Sequence, residues 1–362
     1  MKIIHVFRSP VGGLFRHVCD LAREQHLLGH DVGVICDSTT GGAAADRALA
    51  GLAVHCNLGI TRLPNGTLPG LGDLKAGREV AEIARSASAD IIHGHGSKGG
   101  VYGRLAARKL GVAGIYSPHG GSLHYDWLKP PGVAFLMAER MLRFPKTGII
   151  FVCNFEKALF ERKIGLGACR STVIHNGLRS DEFTTRAVAA NAADFLFVGE
   201  MRRIKGVDVL LDALALARKT KPFTLTLVGD GRDLSAFQKH AADLGLANSA
   251  QFVGRKTMGE ALPLGRILMM PSRHESFPYV ILEAIAAQVP VIASKVGGIP
   301  EILPDAVLVP QGDIKALAQA MIAAAAQSGS NELAISLQTK AARDFKVRSM
   351  AERICAFYGT VR

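Results

Sequence analysis

PSRHESFPYVILEAIAAQVPVIASKVGGIPE, residues 271–301, holds a complete structural sentence. The apolar run 267–270 leads into it, a helix-like stretch covers 279–287, and a second short apolar run occupies 289–293. Short apolar strands joined through helices belong to parallel sheets that are covered on both faces. Within the helix-like stretch the only acidic residue is Glu283, eight positions after Glu275. Burying a carboxylate there is costly unless hydrogen bonds compensate, so the chain holds it for a ligand or a fixed partner. Pro278 suits a first helical turn, which would leave residues 275–277 presenting free backbone N–H groups at the helix start.

The same grammar runs through the whole chain. Strand-like runs fall at 2–7, 32–36, 89–93, 114–117, 148–152 and 172–174, and again at 195–198, 224–228, 251–253, 267–270, 289–293 and 306–309, with amphipathic helical stretches between them. The expected fold class is therefore α/β, with two facing doubly wound, Rossmann-like domains. Weak periodicity in SDEFTTRAVAANAAD, 180–194, marks the linker. The expected domains are 1–180 and 190–340, with 341–362 a helix packing back on the first. Ligands of such sheets lie beyond the carboxyl ends of the strands, so the expected site is a cleft between the domains.

A chain of 362 residues exceeds what one core usually serves. Its 48% apolar and 20% charged residues describe a folded protein and exclude a disordered one. Cysteines at 19, 36, 56, 153, 169 and 355 form no CxxC pair, which is the pattern of buried thiols in a reducing compartment rather than a disulfide or zinc framework. The start, MKIIHVF, reads as a strand and not as a signal peptide, and no apolar run approaches the ~18 residues of a membrane span. The expected location is cytoplasmic. The net charge of +12 is uneven: residues 1–180 hold 22 Lys and Arg against 13 Asp and Glu. An anionic partner follows, whether nucleotide phosphate, an acidic membrane face or nucleic acid.

Several turns could meet a phosphate. Gly12 and Gly13 in SPVGGLFRHVCDLAREQHLLGH open a helix after the first strand, where backbone N–H groups and the helix dipole favour an anion. A plain strand-to-helix turn would read the same, and the GxGxxG spacing of a nicotinamide-binding turn is missing. In FLFVGEMRRIKGVDVLLDALALA, residues 195–217, Arg202, Arg203 and Lys205 follow the strand and can neutralise a diphosphate, although a solvated basic turn is the plainer account. Gly229 and Gly231 leave room beside the next strand, and Gly297 and Gly298 form another anion-facing turn. Glu283 can accept two ribose hydroxyl protons. Such elements at consecutive strand ends carry more weight together than any one alone.

These motifs resemble the retaining GT-B glycosyltransferases of family four, also called group one. The resemblance rests on VGG at 11–13, SPHGG at 117–121, VIHNGL at 173–178, VGEMRRIKG at 198–206, and the pair Glu275 and Glu283 followed by VGGIPE. It implies a GT-B fold with an interdomain cleft, in which Glu283 holds the donor ribose, Glu275 lies beside the transferred sugar and Lys205 meets the diphosphate. Residues Ser276, Phe277, Gly297 and Gly298 complete the donor site by the same resemblance. The family's usual arginine after the strand glycine is replaced by Glu200, leaving Arg202 or Arg203 to supply that charge. His119 matches the histidine near the anomeric centre, and Gly12 and Gly13 fall where the family's loop approaches donor phosphate and acceptor. The implied reaction transfers a sugar from a nucleoside diphosphate with retention, the leaving phosphate oxygen taking the acceptor's proton. Neither metal nor other cofactor is expected, since no DxD-like motif stands near the proposed phosphate site.

Residues 123–146, LHYDWLKPPGVAFLMAERMLRFPK, mix Trp127, Phe135, Leu136, Met137 and Leu142 with Lys129, Arg140, Arg143 and Lys146. Such a helix can dock on an anionic membrane near a lipid-linked acceptor, or simply pack in a core. The expected partners are a nucleotide-sugar donor and a glycan or lipid-linked acceptor, in bacterial cell-surface polysaccharide assembly. Two other readings are a nucleotide-sugar epimerase of the same architecture and a non-catalytic nucleotide or nucleic-acid binder. No RNP-like, helix-turn-helix or zinc pattern supports nucleic acid.

Overall fold

Seven strands form the first sheet: β1 (Lys2–Phe7), β2 (Asp31–Asp37), β3 (Ile60–Leu63), β4 (Ile91–His95), β5 (Ala113–Ser117), β6 (Thr147–Phe151) and β7 (Arg170–Val173). Six more form a second: β8 (Ala193–Val198), β9 (Leu225–Val228), β10 (Ala250–Phe252), β11 (Gly265–Met270), β12 (Val291–Ser294) and β13 (Leu308–Val309). They are seen in a computed structural model that describes residues 1–64, 71–128, 130–326 and 332–362. The strand orders are β3-β2-β1-β4-β5-β6-β7 and β10-β9-β8-β11-β12-β13, with all neighbours parallel. Both are doubly wound, Rossmann-like sheets.

Each sheet reverses its winding at one place, between β1 and β4 in the first and between β8 and β11 in the second. Ligands of open α/β sheets collect beyond the carboxyl ends of the strands at such switch points. Gly12 and Gly13 follow β1, His119 follows β5, residues 199–205 follow β8 and Glu275 follows β11. Gly12, Gly13, residues 199–205 and Glu275 thus follow strands that flank a switch point, whereas His119 follows β5, one strand further along.

Strand β3 is absent from the sequence reading. Its residues, ITRL, are all half-buried and pair with β2 alone, so an edge position lets Thr61 and Arg62 interrupt the apolar run. Interior strands alternate between two cores instead. Ile3, Ile91 and Ile115 face Leu21 and the helix Val347–Val361, while Ile4, Val6 and Ile92 face Val80, Ala84, Tyr102 and Ala106. The second sheet buries Phe195, Phe197, Leu225 and Leu227 against Leu210, Leu214 and Met321. Each such side chain contributes about 1.5–3 kcal/mol on full burial.

Contacts divide the chain into Met1–Gly177 with Val347–Arg362, and Leu178–Lys346. The segment read as linker is fastened to the second unit, where the Arg186 N–H donates to the Ala287 carbonyl (3.3 Å) and the Ala189 N–H to that of Pro263 (3.0 Å). Its weak periodicity reflects an irregular path along a surface and not a free tether. All six cysteines are free thiols. Among the described residues no helix is long and apolar enough to cross a membrane.

Candidate functional site

In the second unit, three stretches of the chain meet at Glu275, two at its carboxylate and one at its backbone. Lys205 Nζ lies 2.7 Å from Glu275 Oε1, and the Ser272 hydroxyl donates to the same oxygen at 2.7 Å. Lys205 closes the turn after β8, whereas Ser272 and Glu275 follow β11, the neighbouring strand. Gly297 completes the convergence. With φ near +58°, it lies so close to the chain that a Cβ placed there would stand 1.7 Å from the Glu275 carbonyl oxygen. The next N–H, of Gly298, donates to the Ser276 carbonyl at 2.9 Å. Glycine is thus required by space as well as by backbone angle.

Arg273 fixes the basic turn from behind. Its guanidinium makes two bonds of 2.8 Å to the Asp208 carboxylate and another to the Arg203 carbonyl, while its N–H donates to the Ile204 carbonyl at 2.8 Å. Burial pushes the Asp208 carboxyl up, but the Arg273 hydrogen bonds and charge, joined by backbone N–H groups, outweigh it and hold the carboxyl below its ordinary range. The two candidate arginines differ. Arg203 is exposed, and its backbone N–H is taken by Asp233 (2.9 Å). Arg202 is half-buried, reaches Glu200 at 3.4 Å, and has an Nε–H that is buried without a partner.

The helix Tyr279–Ala286 begins where the sequence reading places it and ends one residue sooner, with Pro278 as its extended N-cap and not in its first turn. Glu283 is half-buried in a helix whose neighbours Leu282 and Ala284 are fully buried. Phe277 turns its ring inward, edge-on to Phe345 at 5.4 Å between centroids, which leaves only its backbone to offer a ligand. Ser276 is half-buried beside it.

In the first unit, Gly12 has φ +70° and starts the helix Gly12–Leu27, with Gly12 and Gly13 both exposed at its N-terminus. His119 adopts φ +50°, a left-handed conformation that non-glycine residues seldom take. Its loop is held by Glu156, which accepts from the Gly120 and Val152 N–H groups. His119 does not stand alone. His5 and His93 are in register on β1 and β4, and His95 follows two residues later on the same face. His17 comes from the first helix, its ring 4.7 Å from that of His119.

Burial pushes the His5 and His17 rings down to about 4, against the upward pull of the Gln25 and Asn176 hydrogen bonds. Burial, reinforced by the neighbouring rings, holds His93, His95 and His119 well below 6.5. All five are neutral at pH 7. Among the described residues, ring nitrogens within 4.8 Å of one another occur in the sets His5, His93, His95 and His17, His95, His119, which are the groups able to share an ion. The sequence reading passed over Arg273 and the four further histidines. The signal was there in HGH, two histidines at strand spacing ending an apolar run.

Two Rossmann-like domains of this topology are the architecture of the GT-B glycosyltransferases. The chain belongs to their family four: the description Glycosyltransferase Family 4 matches residues 11–182, and Glycosyl transferases group 1 matches 192–327. An uncharacterised glycosyltransferase of Methanocaldococcus jannaschii is 27% identical, over 84% of this chain and 82% of its own length. A glycogen synthase of Mycobacterium tuberculosis is 26% identical, over 80% and 76%. Among solved structures, HepE of Anabaena in complex with UDP and glucose superposes with a TM-score of 0.83, at 22% identity over 99% of this chain and all of the other. Sucrose-phosphate synthase of Thermosynechococcus elongatus gives 0.82, at 20% identity over 100% and 99%. The protein is therefore an enzyme of the glycosyltransferase class, which sets aside the epimerase and the non-catalytic binder.

Proposed function

We propose that the enzyme takes a sugar from a nucleoside diphosphate donor and passes it, with retention at the anomeric carbon, to a glycan or lipid-linked acceptor in bacterial cell-surface polysaccharide assembly. The observation that carries the donor reading is the convergence of Lys205, Ser272 and Gly297 on Glu275. Without a donor, Lys205 and Glu275 neutralise each other. When a diphosphate enters, Lys205 turns to the phosphate, joined by Arg202 with its unpartnered Nε–H, and Glu275 is released to the sugar hydroxyls while Ser272 keeps it in place. Glu283 accepts the ribose hydroxyls. Negative charge grows on the leaving phosphate as the anomeric carbon becomes oxocarbenium-like, and cations and N–H groups fixed in advance stabilise it there. These groups do the work a metal would do elsewhere, so no metal is needed. The leaving phosphate oxygen accepts the acceptor's proton, and His119 contacts the sugar near its anomeric carbon.

HepE, bound to UDP and glucose, makes UDP-sugars the first donors to try. Thermal melting with UDP-, GDP- and ADP-sugars tests the reading, since a ligand at 100 times its Kd adds about 2.7 kcal/mol. One class should stabilise the wild type and lose most of that effect in Lys205→Ala; no stabilisation by any of them would end the proposal.

Peripheral docking at the cytoplasmic face of a membrane belongs to the same reading. In the helix Pro130–Met141, Leu136 packs in the core, while Val133, Met137 and Met141 form an exposed stripe at helical spacing beside Arg140. Leu128, 90% exposed, extends it; Lys129 lies outside the described residues. An apolar stripe edged by cations suits an anionic bilayer. The enzyme should sediment with anionic vesicles and not with zwitterionic ones, and equal recovery in both would remove this part.

A further inference from the structure

A single hydrogen-bonded chain leads away from His119 through the first unit. His119 Nε2 meets His95 Nδ1 at 3.2 Å, and His95 Nε2 meets His5 Nδ1 at 3.0 Å. His5 Nε2 reaches Gln25 Oε1 at 2.7 Å, and Gln25 Nε2 reaches the Tyr358 hydroxyl at 3.2 Å. From Tyr358 the chain runs to His93 Nδ1 (2.7 Å), and from His93 Nε2 to the Ser117 hydroxyl (2.9 Å). The His5, His93 and His95 rings are buried, His119 is half-buried, and all four are neutral. A neutral imidazole carries one ring proton, so a ring that donates on one side accepts on the other. The direction of one bond therefore fixes all the others.

Gln25 sets that direction. Its carbonyl oxygen faces His5 and can only accept, which places the His5 proton on Nε2. His5 Nδ1 must then accept from His95 Nε2–H, and His95 Nδ1 from His119 Nε2–H. His119 is left with an unprotonated Nδ1. On the other side the Gln25 amide donates to Tyr358, Tyr358 donates to His93 Nδ1, and His93 Nε2–H donates to Ser117. Turning the amide over would reverse every bond and put the His119 proton on Nδ1. Two features favour the first arrangement. The Gln25 amide nitrogen lies 3.2 Å from the Tyr358 hydroxyl, with the Cys355 thiol close by, one turn earlier on the C-terminal helix. His17 donates from Nδ1 to Asn176 (3.0 Å), which leaves its buried Nε2 a bare lone pair in the ring set edge-on to His119, a neighbour that attracts a proton.

We propose that Gln25, His5 and His95 are positioning residues of the transfer reaction, holding His119 in the Nε2–H tautomer so that its Nδ1 offers a lone pair to a hydroxyl of the sugar. The role in the reaction rests on the reading that His119 faces the sugar; the tautomer does not. Imidazoles held in this way turn a ring that could donate or accept into one that only accepts there, which selects a ligand that supplies a hydroxyl proton.

Two-bond 1H–15N correlation spectra of the histidine-labelled enzyme read each tautomer directly. The wild type should show Nε2–H at His5, His93, His95 and His119, and Nδ1–H at His17. Gln25→Met, apolar and of equal length, should give mixed tautomers at His5, His95 and His119 but not at His17, and lower kcat by roughly tenfold to a hundredfold with an unchanged KM for the donor. Gln25→Glu gives the finer test. Its second carboxylate oxygen takes the Tyr358 proton, so His119 should keep Nε2–H while His93 switches to Nδ1–H. Nδ1–H at His119 in the wild type, which needs no variant to fold, would overturn the proposal. So would tautomers indifferent to Gln25, or saturable binding of added Zn2+ that shifts His17, His95 and His119 together. The expected tautomers in an enzyme that neither binds nor turns over any nucleotide sugar would leave the chain standing and overturn its role.

Discussion

Glu283 and His119 lie on different units and should fail in different ways when removed. Ribose hydroxyls held by a carboxylate contribute about 1.5–3 kcal/mol, so Glu283→Ala should weaken nucleotide binding by roughly tenfold to a hundredfold, read by calorimetry. His119→Ala should lower turnover more than donor affinity, read from steady-state kinetics. Unchanged constants in both variants would contradict the site. Glu283 stood out as a candidate because a lone carboxylate in an apolar helix is an anomaly in one dimension. Arg273 was not, because an exposed-looking arginine between Ser272 and His274 becomes a clamp only once the chain brings Asp208 to it. The histidines were hidden by their setting. His93 reads as the polar end of a buried strand until the β1–β4 register sets His5 beside it.

Twelve of the thirteen strands were readable as apolar runs, because parallel strands buried on both faces leave their residues little choice. The exception, β3, has one neighbour and a half-buried register, so its sequence is under weaker demand. Turns were legible as glycines but not in purpose. Gly297 reads in the sequence as an anion-facing turn; what its position shows is a structural duty, letting the loop after β12 rest on the backbone of Glu275. Gly297→Ala should push that loop away, since a Cβ cannot stand 1.7 Å from a carbonyl oxygen. The expected result is a loss of donor-induced stabilisation together with about 1–3 kcal/mol of stability, measured by denaturant unfolding with and without nucleotide. A variant as stable and as responsive as the wild type would show that the loop has room to spare.

Four buried imidazoles and the half-buried ring of His119 make the first unit sensitive to acid. Above pH 6.5 they are neutral whether the chain is folded or unfolded, and no pH dependence arises from them. Below it the unfolded chain takes up protons that the folded unit refuses, so stability falls with pH until about 4, where His5 and His17 charge in place. For each of those two the displacement corresponds to roughly 3 kcal/mol. Melting followed through Trp127, the chain's one tryptophan, should therefore occur at a lower temperature at pH 5 than at pH 7. Equal temperatures would mean that these rings reach water.

Tyr358 pairs with Gln25 and His93, and Met350, Ala351 and Ile354 cover Ile3 and Ile91, yet the helix that carries them is made only after the whole of the second unit. The lobe begun first thus stays unfinished until the other has been made, its oily flank and half its proton wiring open to the cell throughout synthesis of everything between. A nascent chain stalled anywhere before Val347 would be a natural client for chaperones, and the helix Val347–Val361 acts as the latch that releases it.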